Sequence, residues 1–239
     1  MTESVAPRQA ALVSRRELLL GFLFPVAVIG GAIVLLAALR GPSPELPSPI
    51  PLTLAVSLLE AILILPPWYL VIRRLGGSWA DLGFREFLAG HMAMGCALWI
   101  ASYFILLAWF ILLALLGVAP EVPEILPFFG GGLGGFLLAI LAGAMLAPLA
   151  EEIYFRGFLF AGLRGYIGPA PAIVLSSAIF ALFHLSLTLS VPIFILGCFL
   201  AWLYHFSGSL WPSIALHVLR NAAAIGCAYL LEVFPPAGF

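Results

Sequence analysis

Residues 136–156 read FLLAILAGAMLAPLAEEIYFR, a stretch in which a long apolar run ends in a cluster of charged side chains. Up to residue 149 it carries no charged side chain, and then Glu151, Glu152 and Arg156 follow in close succession. On insertion scales, a charged group at the centre of a bilayer-spanning helix costs about 2.5–3.5 kcal/mol. A cluster of such groups therefore needs partners elsewhere in the chain, and it is a candidate functional site.

The composition is that of a membrane protein. The chain has 239 residues, of which 64% are hydrophobic and 9% are charged, whereas soluble domains carry about 25% charged residues. Several apolar runs reach the roughly 18 residues that indicate a spanning helix. These features predict an all-α, polytopic transmembrane bundle of about seven spans that forms one integral domain. The net charge of −1 excludes a basic surface for nucleic acid.

The predicted spans fall into two groups along the chain. Residues 1–130 contain spans 1–3 with their loops, and residues 131–239 contain spans 4–7, which carry the polar clusters. A proline-rich loop is predicted for residues 41–51, and an acidic loop carries Glu121 and Glu124. The seven predicted spans are residues 18–39, 52–72, 91–116, 133–160, 170–187, 191–204 and 210–231.

The arginines predict the orientation in the membrane. They concentrate at the N-terminus, in the loop after span 2 and after span 4, as Arg8, Arg15, Arg16, Arg73, Arg74, Arg85 and Arg164. The alternate loops carry only Arg40 and three acids. The N-terminus is therefore expected in the cytoplasm. All ten cationic residues are arginines, which points to a GC-rich prokaryotic genome and hence to the prokaryotic cell (inner) membrane.

Helix geometry sorts the polar residues of spans 4, 5 and 7. Glu152 and Arg156 are four residues apart, which suits an ion pair on one helix face. Glu151 is rotated from Glu152 by about 100° and faces a different neighbour. Span 5 contributes His184, while span 7 contributes two residues four apart on one face, His217 and Asn221. Each has a structural alternative when taken singly, such as a hydrogen bond between helices, but together they form a candidate catalytic set.

The chemistry that this set favours is activation of water. A buried glutamate can act as a general base, and a histidine can assist it. A second histidine and an amide can donate hydrogen bonds to a developing oxyanion. Together these groups suit hydrolysis of a peptide bond.

Three motifs carry a resemblance to a known family. Glu151-Glu152-x-x-x-Arg156, Phe180-x-x-x-His184 and His217-x-x-x-Asn221 occur in this order, within flanking text that reads EEIYFRGFLFAGL at 151–163 and GSLWPSIALHVLRN at 208–221. The set resembles the CAAX protease and bacteriocin-processing family, intramembrane glutamic endopeptidases that include the type II CAAX prenyl endopeptidases. The resemblance covers roughly residues 145–224.

The resemblance implies a role for each residue. Glu151 would activate the water, His184 would help to hold it, and His217 with Asn221 would form the oxyanion site. Glu152 and Arg156 would orient and neutralise the cluster, with Phe180 in a supporting position. The implied substrate is a membrane-associated protein or peptide, with no cofactor required.

Alternatives remain open from the sequence alone. Glutamate and histidine also bind zinc, but a helical His-Glu-x-x-His signature is absent and Arg156 would repel a cation. A non-catalytic scaffold or immunity protein of the same fold is a second alternative, and a transporter is a third. Glu60 in span 2 is interpreted as a partner for an arginine or a water-lined position, or as a functional group. Arg220 in span 7 either extends to the membrane surface or pairs with Glu60.

Overall fold

The described parts of the chain form helices joined by turns and loops. The structure is a computed structural model that describes residues 13–39, 49–119 and 129–234. Within these ranges there are seven helices and no strand. They are α1 (Arg15–Leu39), α2 (Pro49–Ile62, continued by Leu65–Pro67 and Trp68–Arg74), α3 (Ala89–Leu115), α4 (Gly132–Ile167), α5 (Pro169–Phe183), α6 (Ser190–Ser207) and α7 (Leu210–Val233).

Five of these helices have the length and composition of membrane spans. They are α3, α4, α6, α7 and the Thr53–Arg74 part of α2, with mean hydropathy between 1.5 and 2.4. α5 is an apolar helix of 15 residues, and α1 covers the first predicted span. The predicted all-α, polytopic fold is confirmed, and the protein is an integral membrane protein.

The proline-rich loop is shorter than predicted at its C-terminal end. We expected residues 41–51 to lack helix, but α2 already begins at Pro49. Proline is tolerated in the first turn of a helix because the N–H group that it lacks would have no partner there. Residues 40–48 and the acidic loop with Glu121 and Glu124 lie outside the described residues.

α4 contains two π-helical stretches that flank the acidic pair. They are Ile140–Leu146 and Ile153–Phe160, with the α-helical segment Ala147–Glu152 between them. Pro148 lies at the start of that segment and has no N–H to donate. A proline inside a helix favours a kink, and here the π-helical stretch Ile140–Leu146 ends just before the segment that contains Pro148. Single-turn π segments inside α-helices occur frequently at functional sites.

The middle of α4 is the core of the bundle. Residues 152–162 are buried without interruption, as expected for a helix that other helices surround. α2, α5, α6 and α7 all pack against α4, and the Tyr154 hydroxyl donates to the carbonyl of Gly21 in α1 at 3.3 Å. α3 packs on α6 and α7 on the outer side. The polar residues of α4 are therefore held inside protein.

Contacts between side chains bring several helix ends to one end of the bundle. Arg74 at the end of α2 pairs with Glu17 in the first turn of α1, Nη1 to Oε1 3.0 Å. The hydroxyl of Tyr166, near the end of α4, donates to the carbonyl of Val13 at 2.6 Å. Arg164 Nη1 lies 3.1 Å from Nδ1 of His205 at the end of α6. Arg74 and Arg164, two of the arginines that predict the orientation, thus lie at the same end of the molecule as the start of α1.

Candidate functional site

The ion pair predicted within α4 is present. Arg156 Nη1 donates to Glu152 Oε1 at 2.8 Å, and both residues are buried, at 1% and 0% exposure. The geometry follows from the spacing of four residues, which places the two side chains on one face. Because both charges are out of solvent, removing either one would leave the other uncompensated.

His217 of α7 lies between the two glutamates. Its Nδ1 is 2.9 Å from Glu152 Oε1, and its Nε2 is 3.4 Å from Glu151 Oε2. The ring is 2% exposed, and Glu151 has 12% of its side chain exposed. Since an ionised carboxylate only accepts hydrogen bonds, Nδ1 carries the proton in its bond to Glu152. One chain of contacts thus runs Arg156, Glu152, His217, Glu151.

Arg156 has further partners beyond Glu152. Its Nη2 donates to the carbonyl of Gly197 at 3.4 Å, and its guanidinium lies 4.3 Å from the centroid of the Phe180 ring. Gly197 allows this approach, because a Cβ there would come within 2.9 Å of the Cβ of Ser177. Small residues let helices in membranes pack closely. α4, α5 and α6 are therefore joined around one buried cation.

His184 lies beside this cluster and makes no direct hydrogen bond to Glu151 in the described part of the chain. It follows the end of α5, is exposed, and has its Nδ1 2.9 Å from the carbonyl of Phe180. Its ring packs edge-on against Phe180 at 4.6 Å between centroids, and Phe180 packs against His217 at 5.7 Å. A carbonyl only accepts, so Nδ1 carries a proton and Nε2 of the neutral ring is an acceptor.

Asn221 is held by the backbone of α4. Its Nδ2 donates to the carbonyl of Gly143 at 3.1 Å. The amide nitrogen carries two hydrogens, so one remains for another acceptor. No hydrogen bond joins Asn221 to a site glutamate within the described residues. The structure thus brings Glu151, Glu152, Arg156 and His217 into direct contact and leaves His184 and Asn221 on the flanks.

A cavity of about 300 Å³ lies between α2 and α4. Glu60 and Ser57 of α2 line it, as do Gly143 and Ala150 of α4. No described arginine lies within ion-pair distance of Glu60, so the pairing with an arginine suggested from the sequence is not found among the described residues. The sequence marked Glu60 only as a lone acid in a span, because nothing in its spacing relates α2 to α4.

Arg220 lies away from this cavity. Its guanidinium is 4.5 Å from the centroid of the Tyr103 ring in α3, and the residue lines a separate cavity of about 80 Å³. A cation above an aromatic face is stabilised by the ring quadrupole. The suggested pairing of Arg220 with Glu60 is therefore replaced by a contact with Tyr103.

Histidine and carboxylate side chains of this kind can also bind a metal ion. Among the described residues, no group of three or more His, Cys, Asp or Glu side chains is arranged to hold a metal ion. The carboxylate oxygen nearest to His217, Glu152 Oε1, is shared with the guanidinium of Arg156. These residues fit an ion-paired network better than a zinc site.

Comparison with known proteins gives one match. The family model described as "Rce1-like: Type II CAAX prenyl endopeptidase Rce1-like" matches residues 133–223. No curated protein and no solved structure matches the chain. The matched residues extend from the first turn of α4 into α7 and include all of the sequence-predicted catalytic and supporting residues, but not Glu60. Residues 133–223 of this membrane protein are therefore similar to the Rce1-like family of type II CAAX prenyl endopeptidases.

Proposed function

We propose that this protein is an intramembrane glutamic endopeptidase that hydrolyses a peptide bond in a membrane-associated protein or peptide. The observation that carries the proposal is the buried chain of contacts Arg156, Glu152, His217, Glu151, which lies inside the segment matched by the protease family. One end of this chain, Glu151, retains some exposure, as a group that reacts with water must.

Glu151 acts as the general base in the proposed mechanism. It takes one proton from a water molecule while the water oxygen bonds to the carbonyl carbon of the scissile peptide. His184 helps to hold that water, since its Nε2 can accept the second water hydrogen. Glu151 then returns the proton to the leaving nitrogen as the C–N bond breaks. The products are a carboxylic acid and an amine, and the protein ends in its starting state.

Asn221 and His217 stabilise the oxyanion in this proposal. The amide hydrogen of Asn221 that is not donated to Gly143 is available for it. The Nε2 of His217 faces Glu151 at 3.4 Å. Because Nδ1 already donates to Glu152, this role requires a proton on both ring nitrogens of His217. Once Glu151 has taken a proton from water, the N–H at Nε2 is free to donate to the developing negative charge. Oriented donors of this kind favour the transition state because they need no rearrangement.

Glu152 and Arg156 position His217 and do not react. Glu152 fixes the orientation of the imidazole through Nδ1, and Arg156 balances the charge of Glu152. Phe180 supports both by packing against the guanidinium and the imidazole ring.

Replacing Asn221 with alanine is expected to lower kcat by roughly 10²–10³-fold with little change in KM, because the lost donor acts mainly in the transition state. The measurement is steady-state cleavage by the purified protein in detergent. Ser213→Ala is the matched control, since it removes a buried donor from the same helix that bonds only to the carbonyl of Leu210. Equal losses in both variants would contradict a role for Asn221 in the oxyanion site.

We propose that hydrolysis needs no metal ion or other cofactor. Cleavage by the purified protein is then expected to continue unchanged after dialysis against a strong chelator. Metal analysis of the same sample is the companion measurement. Loss of activity on chelation, with recovery on adding Zn²⁺, would instead support the zinc peptidase alternative.

We also propose that the arginine-rich end of the bundle faces the cytoplasm of a prokaryotic cell, with the protein in the cell membrane. The support is the shared location of Arg74, Arg164 and the start of α1 at one end. Positive charge marks the cytoplasmic side of membrane proteins. The substrate would then be cut in a membrane site reached from the bilayer or from that side.

The function is tested by comparing the termini of membrane proteins between cells that carry the parent protein and cells that carry only Glu151→Gln. We expect at least one new terminus that occurs only with the parent. Identical termini in both, at equal protein levels, would favour the non-catalytic scaffold alternative.

A further inference from the structure

Glu60 has no assigned role in the mechanism, yet its position is unusual for an acid in a membrane span. One carboxylate oxygen, Oε2, is buried and accepts no hydrogen bond within the described part of the chain. A buried polar group without a partner destabilises the fold, and more so when it is charged. Acids in spans normally face protein or a water-filled cavity and mark a binding or transport function.

The cavity beside Glu60 has a shape and lining that suit a long side chain. Its α4 wall combines two leucines, Leu146 and Leu149, with four small residues, and the cavity is partly open to its surroundings. The small residues are Ala142, Gly143, Ala147 and Ala150. The lining is predominantly apolar, with Glu60 as its only charged residue among those described. Arginine and lysine place an apolar stem against such walls and a charged head on an acid.

The location links this cavity to the proposed catalytic centre. Ala150, on the cavity wall, directly precedes Glu151 in α4. Gly143, also on the wall, accepts the hydrogen bond from Asn221. Glu60 and Glu151 are close enough to interact electrostatically, so a cation bound beside both would relieve the repulsion between two carboxylates. A side chain bound there would belong to a residue next to the scissile bond.

We propose that this cavity is a substrate subsite for an arginine or lysine side chain and that Glu60 is the counter-ion for its charge. The inference rests on the endopeptidase function proposed above. It deepens that function by naming the chemical class of a residue that flanks the cleaved bond. Glu60 lies outside the segment matched by the family model. The subsite therefore combines a residue from outside that segment with residues of α4 inside it.

The first experiment compares N-acetylated peptides that differ at one position near the cleaved bond, arginine against its neutral isostere citrulline. The parent protein is assayed in a neutral detergent. At one position, kcat/KM is expected to be roughly 30-fold or more higher for the arginine peptide than for the citrulline peptide, because citrulline cannot form the desolvated charge pair. Glu60→Gln is expected to bring this ratio close to one. The control Glu86→Gln removes an exposed acid outside the helices and keeps the parental ratio.

The second experiment measures binding without cleavage. n-Pentylguanidinium is expected to raise the melting temperature of the parent protein, and the neutral n-pentylurea is not, since a ligand stabilises the state that it binds. Glu60→Gln is expected to lose this difference while retaining a cooperative melting transition. A variant that fails to fold is replaced by Ala147→Leu, which fills the cavity and keeps the carboxylate.

The outcomes separate the two proposals. Cleavage by the parent with equal rates for arginine and citrulline at every position, and no Glu60-dependent binding of n-pentylguanidinium, overturns the subsite and leaves the endopeptidase function intact. Glu60-dependent binding with no cleavage of any peptide supports the cation site and overturns the peptidase. A preference for arginine that persists in Glu60→Gln also overturns the assignment.

Discussion

Replacing Glu151 with glutamine is expected to reduce kcat by about 10²–10⁴-fold, the contribution that a general base typically makes. Glutamine keeps the size of the side chain and its position 3.4 Å from His217 Nε2, but it cannot take a proton from water. KM is expected to change little, because the lost interaction belongs to the transition state. The measurement is turnover of a peptide substrate by purified protein in detergent.

Two controls make the result specific to Glu151. The melting temperature of Glu151→Gln is expected to stay near that of the parent, because Glu152 and not Glu151 pairs with the buried guanidinium. Glu86→Gln removes an exposed carboxylate outside the helices and is expected to retain full turnover. If Glu151→Gln cleaves as fast as the parent, Glu151 is not the base, and the scaffold alternative becomes the leading interpretation.

Replacing Arg156 with alanine is expected to destabilise the fold by about 3–5 kcal/mol, the usual cost of breaking a buried ion pair from one side. The change removes the partner of Glu152, the bond to the carbonyl of Gly197 and the packing against Phe180. Glu152 is 0% exposed and would keep only His217 as a partner. For a chain of this size, the melting temperature should fall by roughly 6–20 °C.

The matched control for Arg156 is an arginine in an exposed ion pair. Arg74 has 54% of its side chain exposed and pairs with Glu17 at 3.0 Å, so Arg74→Ala is expected to cost about 0–1 kcal/mol. Arg156→Lys keeps the charge but loses the planar fork that bonds Glu152 and Gly197 together, and it is expected to fall between the two. A melting temperature for Arg156→Ala within the range of Arg74→Ala would contradict the structural role given to Arg156.

Local relations along one helix were predictable from the sequence. The pairing of Glu152 with Arg156 follows from the α-helical repeat, because residues four apart share a face. The spans were predictable because an apolar run of sufficient length, when helical, crosses the hydrocarbon core of a bilayer. The three motifs and their order were sufficient to indicate the protease family. The predicted end of the proline-rich loop was wrong, because a proline such as Pro49 is compatible both with a loop and with the first turn of a helix.

Relations between helices were decided by packing. His217 lies 65 residues from Glu152 in the chain, and only the crossing of α4 and α7 places its ring between both glutamates. The close packing of α6 on α5 depends on Gly197. It places the backbone carbonyl of Gly197 next to Arg156, a contact that cannot be predicted from the pattern of side chains. The contact between Arg220 and the ring of Tyr103 likewise depends on the packing of α7 against α3.

The sequence by itself thus determined the membrane class, the helices and the ion pair within α4, since each depends on hydropathy or on the helical period. Only the tertiary structure decided which glutamate shares an oxygen between Arg156 and His217, and that Glu60 faces a cavity beside Glu151. The physical reason is that helix rotation and crossing are set by the summed packing of small and large side chains from several helices. The spacing of residues within one helix therefore does not predict how that helix is rotated against its neighbours.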